Sequence, residues 1–530
     1  MIGLSAIGRF LDDRANPIVV KELRQLVRSR FVSGMLIVFL VGALVLVFFR
    51  VVADPDIATD AAGGQEITMA LYVGLMVSCL LFVPLYTGNR MASERSGDNV
   101  DLMYITTLSG AAVIRGKMLA AAVLTLMIFS ACMPFMTFTY LLRGVDLPTV
   151  FFVLVVGFIA VMAATQFLLM LACLPGGRAA RLMLGLAGLF VLAMVISGLF
   201  KIAEEVFRYG MPFDEAEFWA GFGTVAFGVV LAMGLMFVFS VALITPPSAN
   251  RSLPVRSYLT AVWAVTGIVA WAWAVHEAEP EIVFGWSVGA VLVMTCLLPF
   301  AVSERTSWGP RVRRRIPRNP VLRLAAFLLY TGAAGGVFWC VILAGISLVI
   351  AAATTASLSA GDPDKTIQFR VTALMLLYGY CYAMTAVLVQ RWILRKAVPA
   401  KYNWLTFILL MLAGGLLPGI FELLITMGQP VRKPLSNFWA ITSPAAVIDT
   451  SAPRLVEAAL AFTGLWGLLA FFLSIPWMAR QVEAFKPLPQ GQGSDATAAT
   501  DAPSSELPSP AAARPEPVPN DDFPTAGPSS

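Results

Sequence analysis

Gly34-Met35-Leu36-Ile37-Val38-Phe39-Leu40-Val41-Gly42-Ala43-Leu44-Val45-Leu46-Val47-Phe48-Phe49-Arg50-Val51-Val52-Ala53 decides the fold class, because Arg50 is its only charge. At 1.5 Å of rise per residue, about 20 apolar residues make a helix that crosses a hydrocarbon layer ~30 Å thick. The run does not read as a secretory leader. Asp12 and Asp13 precede it, it exceeds the length of a leader's apolar core, and no A-x-A cleavage site follows. It is expected to stay as the first span.

Comparable runs recur at 68–88, 118–142, 149–174, 182–202, 218–244, 257–275, 282–302, 322–353, 368–392, 403–427 and 456–478. Transmembrane β-strands would instead show short segments of alternating polarity, which are absent. The expected fold is an all-α polytopic transmembrane helical bundle of about twelve spans. Composition agrees: 58% of residues are hydrophobic and 13% charged, with a mean hydropathy of +0.80, far from a soluble domain. The 322–353 run exceeds one straight crossing, and Gly332, Gly335 and Gly336 offer the place for a tilt or kink.

Loop charge sets the orientation. Cations collect before the first span (Lys21, Arg24, Arg28, Arg30), after the second (Arg90, Arg95, Arg115, Lys117) and after the fourth and sixth (Arg178, Arg181, Arg251, Arg256). They return after the eighth (Arg305, Arg311, Arg313, Arg314, Arg315, Arg318) and tenth (Arg391, Arg395, Lys396, Lys401). The loops between are acidic, with Asp54, Asp56, Asp60, Glu66, Glu204, Glu205, Asp214, Glu215, Glu217, Glu277, Glu279 and Glu281. The positive-inside rule therefore puts both termini in the cytoplasm of a multi-pass protein of the cell (plasma or inner) membrane. The loop 428–455 departs from the pattern, with Arg432, Lys433 and Arg454 on the outer side, which makes the eleventh span the weakest member. The chain thus divides into a cytoplasmic start (1–33), a first six-span unit (34–245, with the loop 89–117), a second (246–480) and a Pro/Ala/Ser-rich tail (481–530). That tail has too little apolar surface to order itself.

Several function classes recede. A net charge of +5, dispersed over helix ends, implies no nucleic-acid partner. The six cysteines lie within apolar runs without a CxxC pair, and the lone His276 cannot form a histidine metal cluster or dyad. Gly110 to Lys117 looks like a phosphate loop but has five residues between its glycines and Met118 where Ser or Thr would hold magnesium. No cofactor, metal or catalytic residue is therefore expected.

Two cytoplasmic segments carry the functional reading. In residues 16–30, Asn16 can cap, Pro17 suits the first helical position, and Val19, Val20, Leu23, Leu26 and Val27 share a face. This describes an interfacial amphipathic helix, either a plain membrane anchor or a docking element. After the second span, Ser93-Glu94-Arg95-Ser96-Gly97-Asp98-Asn99-Val100-Asp101-Leu102-Met103-Tyr104-Ile105-Thr106-Thr107-Leu108-Ser109 suggests a short surface helix, or a solvated connection. Asn16-Pro17 with Lys21-Glu22-Leu23-Arg24, and Glu94-Arg95, Asp98, Asp101-Leu102 and Thr106 to Ser109 leading to Gly116-Lys117, resemble the ABC-2 family of ABC-transporter permeases. The family pattern is similar to E-R-x-x-D-T-L-E-L-L-L-x-T-P-L-S followed by an apolar pair and Gly-Lys. Here Asn99, Val100, Asp101 and Thr107 stand for Thr, Leu, Glu and Pro. The resemblance spans roughly 16–245. It implies that Lys21, Glu22, Arg24, Glu94, Arg95, Asp98, Asp101, Thr106 and Ser109 serve contact with a separate ATP-binding cassette subunit, besides the lipid bilayer and a second copy or second permease as partners. The implied activity is substrate movement, with export the expected direction, driven by that subunit's hydrolysis.

Three further features stay open. Ser303-Glu304-Arg305 echoes Ser93-Glu94-Arg95 at the equivalent place in a six-plus-six arrangement, a hint of duplication. Glu94-Arg95-Ser96-Gly97 also partly matches the loop signature of major-facilitator secondary transporters, although Asp98 and Asn99 stand where that signature has basic residues. Glu422, just after Pro418-Gly419, is the intramembrane charge that would mark a pathway unless it snorkels to water.

Overall fold

The computed structural model describes residues 17–53, 61–94, 109–141, 145–174, 178–246, 248–358, 363–395, 399–426, 441–444 and 453–488. All regular structure in them is helical. The first half comprises α1 (Pro17–Val27), α2 (Arg30–Ala53), α3 (Ala61–Glu94), α4 (Gly110–Leu141), α5 (Leu147–Ala172), α6 (Arg178–Tyr209) and α7 (Ala216–Ile244). The second comprises α8 (Ser252–Glu277), α9 (Glu281–Val302), α10 (Pro310–Arg313), α11 (Pro320–Leu329), α12 (Ala333–Leu358), α13 (Pro363–Trp392), α14 (Asn403–Thr426) and α15 (Pro453–Ala484). Eleven helices among the described residues are long and apolar enough to cross a membrane. The expected 403–427 span is present as the helix α14 but is not one of the eleven, and the side chains of several of its residues, Glu422 among them, lie outside the description.

The polarity of these helices follows from a hydrocarbon solvent. Hydroxyls inside spans return their protons to their own helix: Thr87 to the Val83 carbonyl (2.8 Å), Thr125 to Ala121 (2.9 Å), Thr165 to Val161 (2.7 Å) and Ser347 to Leu343 (2.8 Å). Other polar groups bond between helices. Gln166 on α5 donates to Ser240 on α7 (3.3 Å), Trp263 on α8 to Ser347 on α12 (2.8 Å), and Trp466 on α15 to Thr385 on α13 (3.0 Å). Conversely, Ile37, Val38, Val41, Leu44, Phe48 and Phe49 of α2 are exposed, an apolar face that only lipid or another membrane helix can cover.

Each half has its own buried cluster, and the neighbour relations recur. Helix α3 packs on α2, α4, α5 and α6; α9 packs on α8, α12, α13 and α14. Helix α5 lies along α6 and α7; α13 lies along α14 and α15. At Gly157, α5 passes so close to α3 that an added Cβ would sit 2.8 Å from the end of the Met76 side chain, which would have to turn aside. The halves join where α7 runs along α8, with Tyr258 donating to the Leu231 carbonyl (2.8 Å). Among the described residues, Arg90, Lys117, Arg251 and Arg256, at the finish of α3 and α7 and the start of α4 and α8, mark one end of the bundle as basic. At the other, Arg50 meets Glu66 (2.9 Å) and Arg370 meets Glu457 (2.7 Å).

Three expectations change. First, 322–353 is not one kinked span, because the helix stops at Leu329 and restarts at Ala333. The break is stitched by side chains from elsewhere. Arg256 donates to the carbonyls of Leu328 (2.8 Å), Tyr330 (2.7 Å) and Gly332 (3.4 Å), while Glu304 accepts from the Gly332 amide (2.6 Å) and pairs with Arg256 (2.7 Å). Asn250 accepts from the Thr331 amide (3.0 Å), and Gln481 from that of Ala334 (3.1 Å). These partners replace the intrahelical bonds that a continuous helix would have kept. Second, α15 continues to Ala484, and Phe485, only 2% exposed, packs on Trp308, Phe327 and Tyr330, so the expected tail does not begin at 481. Residues 489–530 lie outside the described residues. Third, α3 carries on to Glu94 and α4 starts at Gly110, so the helices reach further into the expected loop 89–117 than hydropathy indicated.

Replacing Arg256 by Met leaves the half-buried Glu304 without its cation and three carbonyls uncapped. We expect a loss of about 3–5 kcal/mol, read as a clearly lowered Tm in detergent, with Arg256→Lys intermediate because an ammonium lacks the planar fork. An unchanged Tm for Arg256→Met would contradict the stitching role.

Candidate functional site: a charged knot at the basic end

Helix α1 forms because Val19, Glu22 and Leu26 recur at helical spacing, and this stripe is the buried one (4–6% exposed). A carboxylate in an apolar stripe needs a partner. On α3, Tyr86, Arg90 and Glu94 stand four residues apart and so share one face. Helix α4 brings Lys117, two turns beyond Gly110, to the same point. Glu22 contacts Lys117 (3.0 Å) through one oxygen and Arg90 Nε (3.2 Å) through the other. Lys117 also contacts Glu94 (2.8 Å), whose second oxygen lies 3.8 Å from Lys21. Arg90 donates to the Tyr86 hydroxyl (3.1 Å).

Two carboxylates and three cations thus bind three helices together. Their burial is graded: the Lys117 side chain is 2% exposed, Glu22 6%, Glu94 31% and Lys21 59%. The inner pair sits where screening by water is weakest, whereas the Lys21 contact is a surface pair worth at most about 1 kcal/mol. The cavity beside the knot, lined by Glu22, Tyr86, Arg90 and Lys117, measures about 10 Å³, at the lower limit for a single water. The arrangement is a fastening, with no room for a substrate.

A much larger apolar groove, about 1510 Å³, runs between α2, α3 and α6 past Phe39, Leu46, Gly74, Leu81, Gly185 and Gly188, with Asn89 and Ser93 at the basic end. Among the described residues, no group of His, Cys, Asp and Glu side chains could hold a metal ion.

The candidates read from sequence are thus divided. Lys21, Glu22 and Glu94 are brought together, with Glu22 facing inward, while Arg24 is exposed on α1. Ser109 starts α4, its hydroxyl accepting from the Ala112 amide (3.2 Å). Arg95, Asp98, Asp101 and Thr106 lie outside the described residues, as does the side chain of Glu422. The sequence offers Arg90 as a loop charge and Lys117 as a loop charge and the Lys of the Gly-Lys pair, with Glu22 paired to neither; the position of Lys117 within an apolar helix is the signal that marks it as partnered.

Lys117→Met leaves Glu22 to Arg90 alone and Glu94 to the exposed Lys21, and we expect it to cost about 1–3 kcal/mol. Glu22→Gln combined with Lys117→Met should cost at least ~1 kcal/mol less than the sum of the single changes. A thermal-unfolding double-mutant cycle measures this, and strict additivity would show the pair to be energetically idle.

No protein-family model matches the chain, and neither a curated protein nor a solved structure matches it.

Proposed function

We propose that the chain is the membrane-embedded permease subunit of an ABC-2-like transporter of the cell membrane, passing the work of a separate ATP-binding cassette subunit to substrate movement, most simply outward. One observation carries the reading: the knot fastens α1 and the ends of α3 and α4 into one block. Helix α1 carries the first segment of the ABC-2 resemblance, and α3 and α4 flank the second. With the basic end in the cytoplasm, a partner bearing on residues 95–109 and on the exposed Lys21 and Arg24 presses on this block. Its displacement then passes to the spans instead of being absorbed by a loose surface helix. The recurrence of neighbours in α8–α15 supports a six-plus-six arrangement in which one chain supplies both halves of the transport unit.

Purified alone in lipid nanodiscs, the chain should neither bind nor hydrolyse ATP. Co-expressed with its cassette subunit it should co-purify as a complex holding one copy of this chain, as measured by mass, and Glu94→Lys with Asp101→Lys should abolish that complex. Intrinsic hydrolysis, or a complex that survives the charge reversal, contradicts the coupling role. Two copies of the chain in the complex contradict the six-plus-six reading alone. Flux driven by an ion gradient without any partner would instead favour the major-facilitator alternative.

A further inference from the structure

The segment between α9 and α12 does more than connect two spans. Helix α11, at ten residues, is about 15 Å long and crosses nothing. It begins by design of its sequence: Asn319 accepts from the Val321 amide (3.0 Å) and Pro320 takes the first helical position. Ala326 and Phe327 are buried, yet Val321, Leu322 and Leu324 are turned away from the protein at 73%, 57% and 64% exposure.

Directly before this helix, Arg311, Arg314, Arg315 and Arg318 are exposed or project outward, and no ion pair among the described residues engages them. They are held in place, because Val312 and Ile316 are buried between them and Tyr330 donates to the Arg315 carbonyl (3.0 Å). Arg313 donates to the Lys486 carbonyl (3.2 Å). The positive-inside rule asks only for a number of cations near a span. It does not ask that they be mounted on buried feet, or that the next helix present aliphatic side chains outward.

We infer that residues 311–324 form an anionic-phospholipid site at the basic edge of the second half, with the four guanidinium groups on headgroup phosphates and Val321, Leu322 and Leu324 in the acyl boundary. Planar guanidinium groups match phosphate oxygens two at a time. A basic cluster beside an apolar interfacial helix is the arrangement that adsorbs to anionic lipid. The groups stand at the end of a bundle whose spans fix the depth of the bilayer, so headgroups lie within their reach. The inference stands whether or not the chain works with a cassette subunit.

Native mass spectrometry of the full chain, equilibrated with equal amounts of phosphatidylglycerol and phosphatidylcholine, tests it. Wild type should retain phosphatidylglycerol preferentially. Arg311→Gln, Arg314→Gln, Arg315→Gln and Arg318→Gln together should cut that preference about tenfold or more, given a factor of about five per cation near an anionic surface. Val321→Ser with Leu324→Ser should reduce retention of both lipids. Arg28→Gln with Arg115→Gln, which removes cations elsewhere on the same end, should change the ratio far less, and matched Tm values confirm folding of each variant. Equal retention of the two lipids by wild type, an unchanged ratio in the quadruple variant, or an equal loss in the control overturns the site. An unchanged ratio in the quadruple variant would leave this basic face to an acidic protein surface instead.

Discussion

The Lys117 ammonium is 2% exposed and lies two turns inside α4, where neither water nor a neighbour on its own helix can neutralise it. An isolated charge in such a place is costly enough to unfold the segment that carries it. Two carboxylates meet the demand, one from α1 and one from the end of α3. The consequence is architectural. A surface helix that hydrophobic adhesion alone would leave free to slide is pinned in register to two spans, and Arg90 closes the second side of Glu22. That ammonium is what ties α4 to the pairing of α1 with α3 at the basic end.

The second half meets the same constraint with different parts. There Arg256 is the buried cation, and the groups it satisfies are backbone carbonyls freed by the interruption between α11 and α12 as well as the Glu304 carboxylate. Non-helical backbone near a membrane survives only where the protein supplies partners, and Asn250, Glu304 and Gln481 supply them. Glu94 ends the second spanning helix of its half and Glu304 closely follows that of the other, and each is tied to a buried cation. The cation comes from the following span in one half and from the preceding span in the other.

Spans were legible in the sequence because hydrocarbon imposes a length and a composition that each segment must meet by itself. Runs such as Gly34–Ala53 therefore announced themselves, as did the amphipathic face of α1 and the glycine-rich place where the ninth run yields. What escaped was whatever depends on partners far along the chain. Glu22 and Lys117 are 95 positions apart and Arg256 and Gly332 are 76 apart, so no local pattern distinguishes a knot from scattered loop charge. Glu22 was read as a partner-facing residue because helical periodicity shows which residues share a face but not which way a lone carboxylate on that face turns. The break at 330–332 was read as a bend for the same reason, since the side chains that stabilise it belong to α8, α15 and the α9 terminus. The resemblance to ABC-2 permeases rests on short segments, much of the second of which falls in residues 95–108, outside the described part of the chain.

The claim beneath the functional reading is that α1 moves as one body with α3 and α4. Spin labels at Arg24→Cys on α1 and Arg115→Cys on α4, in a background where the exposed Cys296 is Ala, measure this directly by double electron–electron resonance in nanodiscs. The account predicts one narrow distance distribution that broadens markedly when Lys117 is replaced by Met. A distribution that is broad from the start, or that stays narrow without the ammonium, would contradict it.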